Sequence, residues 1–443
     1  MPLQSTSVAP LFQSPNVLRA AARNIEDEAL RKRAGATKFP FNQCNDERLL
    51  QQRDGFSSLK TKRNYWQLDL VRGLAALAVV AGHLRAFMFL DFGQTVDLGS
   101  AWRVFYFMTG LGHQAVVVFF VLSGFLVGGH VIAQNQNGTW SWESYLFRRL
   151  TRLWVVLLPA LFLTAFWDTI GMTLTGSELY QGGLANYYHS TPGPEDSDKI
   201  YTFRTFLGNV FFLQTIVVPS FGTNGPLWSL AYEFWYYILF PLVAVSILSR
   251  RTHVFPKLAM LTGAALVALS LPTDVVASGL MWLQGVLLYV LNRSISLPRP
   301  IYRALGAVSA CLLVWSLAAT RGAVPSLPGD LLVGGSFTLL LWSMLHSKFS
   351  NAILEIASSR IAAISFTMYL VHFPFAAALS CLVIHNERFT PSLQALAFFL
   401  IAIGTVLIYS AGLYYLAERK TSDVQMWLQR KWERVSLRDT GSS

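Results

Sequence analysis

The chain has 443 residues, 53% of them hydrophobic and 13% charged, with a mean hydropathy of +0.42. A soluble domain carries roughly 25% charged residues, so an ordinary soluble fold is excluded. The net charge of +11 does not indicate nucleic acid, because the basic residues flank long apolar runs, where excess Lys and Arg set membrane orientation.

The first 64 residues are polar and mixed in charge, and read as a flexible cytoplasmic tail with a short helix around 25–33. Lys60, Lys62 and Arg63 then precede the first span, which runs from Trp66 to Leu90. It contains "LDLVRGLAALAVVAGH", with Arg72 and His83 inside the apolar run. Eleven helical steps leave the two side chains on nearly the same face, about 16 Å apart along the axis. Ionisable groups in lipid are costly, so a pair on one face predicts a shared interior pathway. The alternative is local, with Arg72 paired to Asp69 at the interface and His83 bonded between helices.

The second span covers Val104 to Ile132 and includes "FFVLSGF", in which Ser123 is flanked by small residues suited to close helix packing. No nucleophile elbow surrounds Ser123, so covalent catalysis is not expected there. The loop that follows holds Arg148, Arg149 and Arg152, a cluster that fits both a cytoplasmic loop and a phosphate-binding mouth. Leu153 to Leu174 forms the third span, with Pro159 inside it and Asp168 toward an outer end that interfacial water could solvate. The polar stretch 175–204 suits the outside.

Residues 206–219 are too short for a full crossing without breaking the alternation, and read as re-entrant or interfacial. The span Leu227 to Leu248 follows within "NGPLWSLAYEFWYYILFP" and ends at Arg250 and Arg251. Trp228, Trp235, Tyr236 and Tyr237 suit an interfacial aromatic belt, whereas Glu233 lies in the first turns of a membrane helix and needs a reason to be there. Six more spans follow at 256–271, 275–291, 304–319, 330–346, 361–384 and 393–416, punctuated by Arg293, Arg299, Arg303, Lys348 and Arg360. The last but one carries "SFTMYLVHFPF", with His372 beside Pro374, either a packing histidine or part of a site. The expected architecture is an all-α polytopic membrane protein of about ten transmembrane helices plus one short segment. It divides into a tail 1–64, a membrane domain 65–417 and a C-terminal tail 418–443, with both tails cytoplasmic. Cys44, Cys311 and Cys381 match no metal or disulfide spacing, and no metal site is expected. Nucleotide-binding and zinc motifs are also absent from the sequence.

From Tyr65 to Leu416 the chain resembles the acyltransferase 3 family of membrane acyl-group transferases. The resemblance rests on five motifs in the family's order: Arg72-x10-His83, "FFVLSGF", "RRLTR", "LWSLAYEFWYYILFP" and "SFTMYLVHFPF". The fourth departs from the commoner family wording at Ala231, Tyr232 and Phe234 while keeping Glu233, and is similar to variants associated with exopolysaccharide modification. The resemblance implies an enzyme of the cell (inner) membrane that moves an acyl group, commonly acetyl, from cytoplasmic acyl-CoA to a hydroxyl of an extracytoplasmic sugar, polysaccharide or glycolipid. Acyl-CoA is then a co-substrate, and no permanent cofactor or nucleic acid is involved. His83, Arg72 and Glu233 are the expected catalytic residues, with His83 as general base in an apolar setting that favours its neutral form. Arg148, Arg149 and Arg152 are the expected donor-binding residues, and Ser123, Trp228, Ser229 and His372 are candidates to line the site. The acceptor is expected to enter past Glu233 and the 175–204 loop. A secondary transporter using the same intramembrane polar groups is the alternative.

Overall fold

The helices follow the apolar runs closely, because a chain in lipid must satisfy its backbone within each segment. The computed structural model describes residues 66–440 apart from 96–97, 187–190, 250–251, 323, 347–350 and 385–387. The N-terminal tail with its expected helix, and the basic markers Lys60, Lys62, Arg63, Arg250, Arg251 and Lys348, lie outside these residues.

Helix α1 is Trp66–Met88, α2 Ser100–Met108 and α3 Gly112–Ser123. A π-helical turn at Gly124–Gly128 carries α3 into α4, Gly129–Gln136. Helix α5 is Trp142–Thr175, α6 Phe203–Val210, α7 Trp228–Leu248 and α8 Val254–Ser270. Helices α9 to α13 are Thr273–Ser294, Arg299–Thr320, Leu327–Leu345, Ala352–Ile384 and Leu393–Leu416, and α14, Thr421–Thr440, continues the C-terminal segment as helix. Among the described residues, nine helical segments are long and apolar enough to cross a membrane. Helix α8, apolar but 17 residues long, is the tenth expected span. Pairing outside the helices is limited, among these residues, to two isolated bridges.

Helix α5 begins eleven residues earlier than the hydropathy of its span suggests. Ser141 caps it by accepting from the Ser144 amide at 3.3 Å, and Glu143 sits in the first turn, where a carboxylate favours the helix N-terminus. Arg148, Arg149 and Arg152 therefore stand on rigid helix rather than in a loop.

The segment 206–219 is α6 followed by irregular chain, with Phe212 and Thr215 at positive φ (59° and 60°). Side chains satisfy its backbone. Trp154 Nε1 donates to the Val210 carbonyl at 2.9 Å and Trp235 Nε1 to that of Phe212 at 3.1 Å. Asn209 Nδ2 donates to Pro219 O at 3.0 Å, and Gln214 Nε2 to Leu227 O at 2.9 Å. Trp235 is therefore a cap for this segment and not only a belt residue.

Asp168 is not solvated as its position in the sequence suggests. It is fully buried. Thr223 donates to it twice, from its amide at 2.8 Å and its hydroxyl at 2.6 Å, and Tyr201 donates a third bond at 3.1 Å. The carboxylate pins the chain before α7 onto α5.

Helix α1 packs along α12, which also packs on α5 and α13, while the π turn packs on α9. At that crossing Gly124 approaches the Trp282 carbonyl, and Gly285 approaches the Val121 carbonyl and the Phe125 amide, with no room for a Cβ on either side.

Gly285→Val forces α9 away from the π turn, at a cost of about 1–3 kcal/mol typical of overpacking. The expected outcome is a lower thermal midpoint for the detergent-purified protein, and wild-type stability would refute the crossing. Asp168→Leu strands buried donors at about 1–3 kcal/mol each, so it is expected to lower the midpoint more than Asp168→Asn, which keeps an acceptor oxygen. Equal midpoints would count against the clasp.

Candidate active site

The expected site residues divide between two cavities. The first, of about 160 Å³, is lined by Arg72, Arg149, Arg152, Ser123, Ser229 and Glu233, together with Tyr237 and Phe366. The second, of about 1260 Å³, is lined by His83 and Trp228 and by the loop residues Thr191, Pro192, Glu195 and Asp196. Val116 and Tyr369 line both. Arg72 and His83, on one helix, thus open onto different cavities that share a wall.

In the smaller cavity Arg72 Nη2 donates to Asp69 at 3.0 Å, so the local ion pair exists alongside the cavity position. The Arg149 guanidinium lies 5.7 Å from the Tyr237 ring centre and 5.8 Å from that of Tyr145, and Arg152 lies 5.9 Å from that of Phe366. Aromatic faces hold these cations without neutralising them. Arg148 is exposed, and its guanidinium bonds Ser144 on its own helix. It does not line this cavity, whose three arginines are Arg72, Arg149 and Arg152.

Glu233 lines the same cavity as the arginines. Its carboxylate accepts from the Tyr237 hydroxyl, whose oxygen lies 3.3 Å from Ser123 Oγ, which in turn accepts from Trp282 Nε1 at 3.1 Å. Tyr237 gives its hydrogen to Glu233, so Ser123 donates to Tyr237. The serine hydrogen is thereby committed to a structural chain. Nearby, Ser229 Oγ and Tyr369 Oη are 2.6 Å apart and both reach the Pro226 carbonyl at 3.2 Å.

His83 is 2% exposed. Its Nδ1 lies 2.7 Å from His372 Nε2, and the Phe373 ring stands edge-on to it at 4.8 Å. His372 is fully buried and takes its place in the site through His83 rather than on a cavity wall. In the larger cavity the cations are already engaged. Arg85 approaches Asp91 at 3.6 Å, Arg388 meets the same carboxylate at 3.0 Å, and Lys199 pairs with Asp196 at 3.1 Å. His113 meets Asp330 at 2.7 Å.

Tyr369, Asn224 and Glu418 are not singled out by sequence, and Tyr237 stands out there only as an aromatic-belt residue. Glu418 accepts from the Thr367 hydroxyl at 2.6 Å and its amide at 3.2 Å. A proline signal marks Tyr237 and the carbonyl that Asn224 caps. Pro241 and Pro374 each deprive the carbonyl four residues earlier of its helical donor, and those carbonyls belong to Tyr237 and Leu370. Tyr145 Oη donates to the first at 3.0 Å and Asn224 Nδ2 to the second at 2.9 Å.

A model of the acyltransferase domain matches residues 65–412. Over 210 residues the chain is 27% identical to "Putative peptidoglycan O-acetyltransferase YrhL" of Bacillus subtilis (strain 168), a stretch amounting to 46% of this chain and 28% of that relative. No solved structure matches. With the domain match running through every span but the tails, the chain is a multi-pass membrane protein that belongs to the acyltransferase 3 family.

Proposed function

We propose that this membrane acyltransferase moves an acyl group, commonly acetyl, from acyl-CoA to a hydroxyl of an extracytoplasmic sugar or polysaccharide, with His83 as general base. The supporting observation is the pair of adjacent cavities on either side of Val116 and Tyr369, one carrying three arginines and the other His83. A two-substrate reaction needs separate approaches to one shared point.

The chemistry assigns the sides. At about 160 Å³ the arginine cavity is smaller than the roughly 300–1,000 Å³ of drug-sized ligand sites. It suits the thin pantetheine arm, leaving the nucleotide phosphates at its mouth beside Arg149 and Arg152, where guanidinium forks bond phosphate well. The larger cavity suits a bulky acceptor, and its loop wall supplies polar contacts. The acceptor oxygen bonds to the thioester carbon as a ring nitrogen of His83 takes its proton. The C–S bond breaks, and the leaving thiolate receives that proton. Basic residues near the arginine mouth support a cytoplasmic orientation for it and for both termini, in an inner membrane.

Purified protein in vesicles, given labelled acetyl-CoA and a surface-glycan fraction, is expected to yield an alkali-labile labelled glycan. General-base catalysis contributes about 10²–10⁴-fold, so His83→Ala is expected to lose turnover on that scale per folded molecule. Near-normal turnover in the folded variant would sink the mechanism. A transporter of another solute would leave acetyl-CoA intact. Arg149→Gln with Arg152→Gln is expected to raise the KM for acetyl-CoA with little change in kcat, the mark of lost ground-state binding, while Arg148→Gln leaves KM unchanged. An equal effect from Arg148→Gln would assign the cluster to orientation alone.

A further inference from the structure

Which nitrogen of His83 can act as a base is decided by groups outside the cavities. His372 lies between Leu370 and Pro374. Its Nδ1 faces two carbonyls, those of Met368 and Tyr369, each at 2.9 Å. A carbonyl can only accept, so this Nδ1 carries hydrogen, and the neutral ring then has its electron pair at Nε2. That Nε2 is 2.7 Å from His83 Nδ1. The hydrogen in the contact therefore belongs to His83, whose Nε2 is left as the proton-accepting atom. The ring centroids are 4.9 Å apart with planes within 11° of each other, a spacing that fits an end-to-end N–H···N bond.

His372 is itself held in register. Pro374 has no N–H, so the Leu370 carbonyl loses its helical donor. Asn224 replaces it with Nδ2 at 2.9 Å, while the same amide donates to Thr164 Oγ1 on α5 at 3.1 Å. Asn224, itself braced against Thr164, thus anchors the helix two residues, about half a turn, from His372.

We infer that His372 is a positioning residue that fixes His83 in its Nδ1–H tautomer, making Nε2 the base, and that Asn224 keeps His372 in place by capping the Leu370 carbonyl. The consequence for catalysis rests on the reading of His83 as the base; the tautomer itself does not. A base held in the wrong tautomer presents an N–H where the acceptor's proton must go. In serine proteases that error alone costs about 10⁴-fold in turnover. A neutral imidazole partner is a weaker restraint than a buried carboxylate, so the expected loss here is smaller, about 10- to 100-fold.

The test uses full-length protein in lipid nanodiscs with ring-15N histidine, whose nitrogen shifts report the tautomer directly. His83→Gln assigns the His83 signals among the eight histidines. Wild type is expected to show Nδ1 of His83 protonated. His372→Gln places an oxygen near the old Nε2 and is expected to preserve that form, whereas His372→Phe is expected to convert His83 to Nε2–H. Asn224→Leu is expected to give a mixture of the two forms. A wild-type His83 protonated at Nε2, or a tautomer indifferent to His372→Phe, would overturn the inference. Transfer from labelled acetyl-CoA gives the second readout. His372→Phe is expected to lose about 10- to 100-fold in kcat with KM within about twofold, and His372→Gln to recover most of it. Expected shifts combined with wild-type transfer by His372→Phe would uphold the tautomer and overturn His83 as the base, separating the two failures.

Discussion

A membrane domain must satisfy every backbone carbonyl and amide from within the protein, and the breaks in this chain's helices are arranged around that constraint. Pro241 and Pro374 each release a carbonyl, and Tyr145 and Asn224 cross from other segments to claim them. The irregular chain after α6 is likewise closed by Trp154, Trp235, Asn209 and Gln214. These bonds tie α5, α7 and α12 together at the places where helical regularity fails. The same three helices supply Arg149, Glu233 and Tyr369 to the arginine cavity. The interruptions needed to open a polar site in lipid are thus also the points at which the site is braced.

Charge is segregated within that frame. In the smaller cavity Arg149 and Arg152 are held over aromatic faces and Arg72 is paired with Asp69, with Glu233 tied to Tyr237 nearby. The cations of the larger cavity are matched to carboxylates. Arg149 and Arg152 are thus held against aromatic rings, whereas Arg85 and Lys199 in the larger cavity face carboxylates. On the wall of the larger cavity His83 is packed by Phe373 and bonded to His372, a buried pair whose hydrogen bond is strengthened by low dielectric.

Several residues that look interchangeable along the chain have distinct work. Trp228, Trp235, Tyr236 and Tyr237 all suit a belt at the membrane interface. In the fold Trp228 lines the larger cavity and Trp235 caps a carbonyl. Tyr236 bonds the Val275 carbonyl at 2.6 Å, and Tyr237 joins the chain ending at Glu233. Arg148 and Arg149 are neighbours on one helix, yet only Arg149 turns inward, because successive residues differ by about 100° around the axis.

What the sequence determined by itself was the class of fold, the placement of its spans and the identity of the ionisable groups among them. These follow from local physics: a run of apolar residues long enough for a bilayer, and the cost of a charge inside it. The five ordered motifs carried the family. Only the tertiary structure decided how those groups are shared out. Arg72 and His83 have one helical face in common, but which cavity each meets depends on neighbours drawn from α5, α7 and α12, from about 60 to about 300 residues away. Glu233 shares a cavity with the arginines, and Asp168, whose place in the sequence suits interfacial water, is a buried clasp. The partnership of His83 with His372 spans 289 positions, and no periodicity along the chain records it, because a contact between helices depends on how they pack rather than on the order in which they are written.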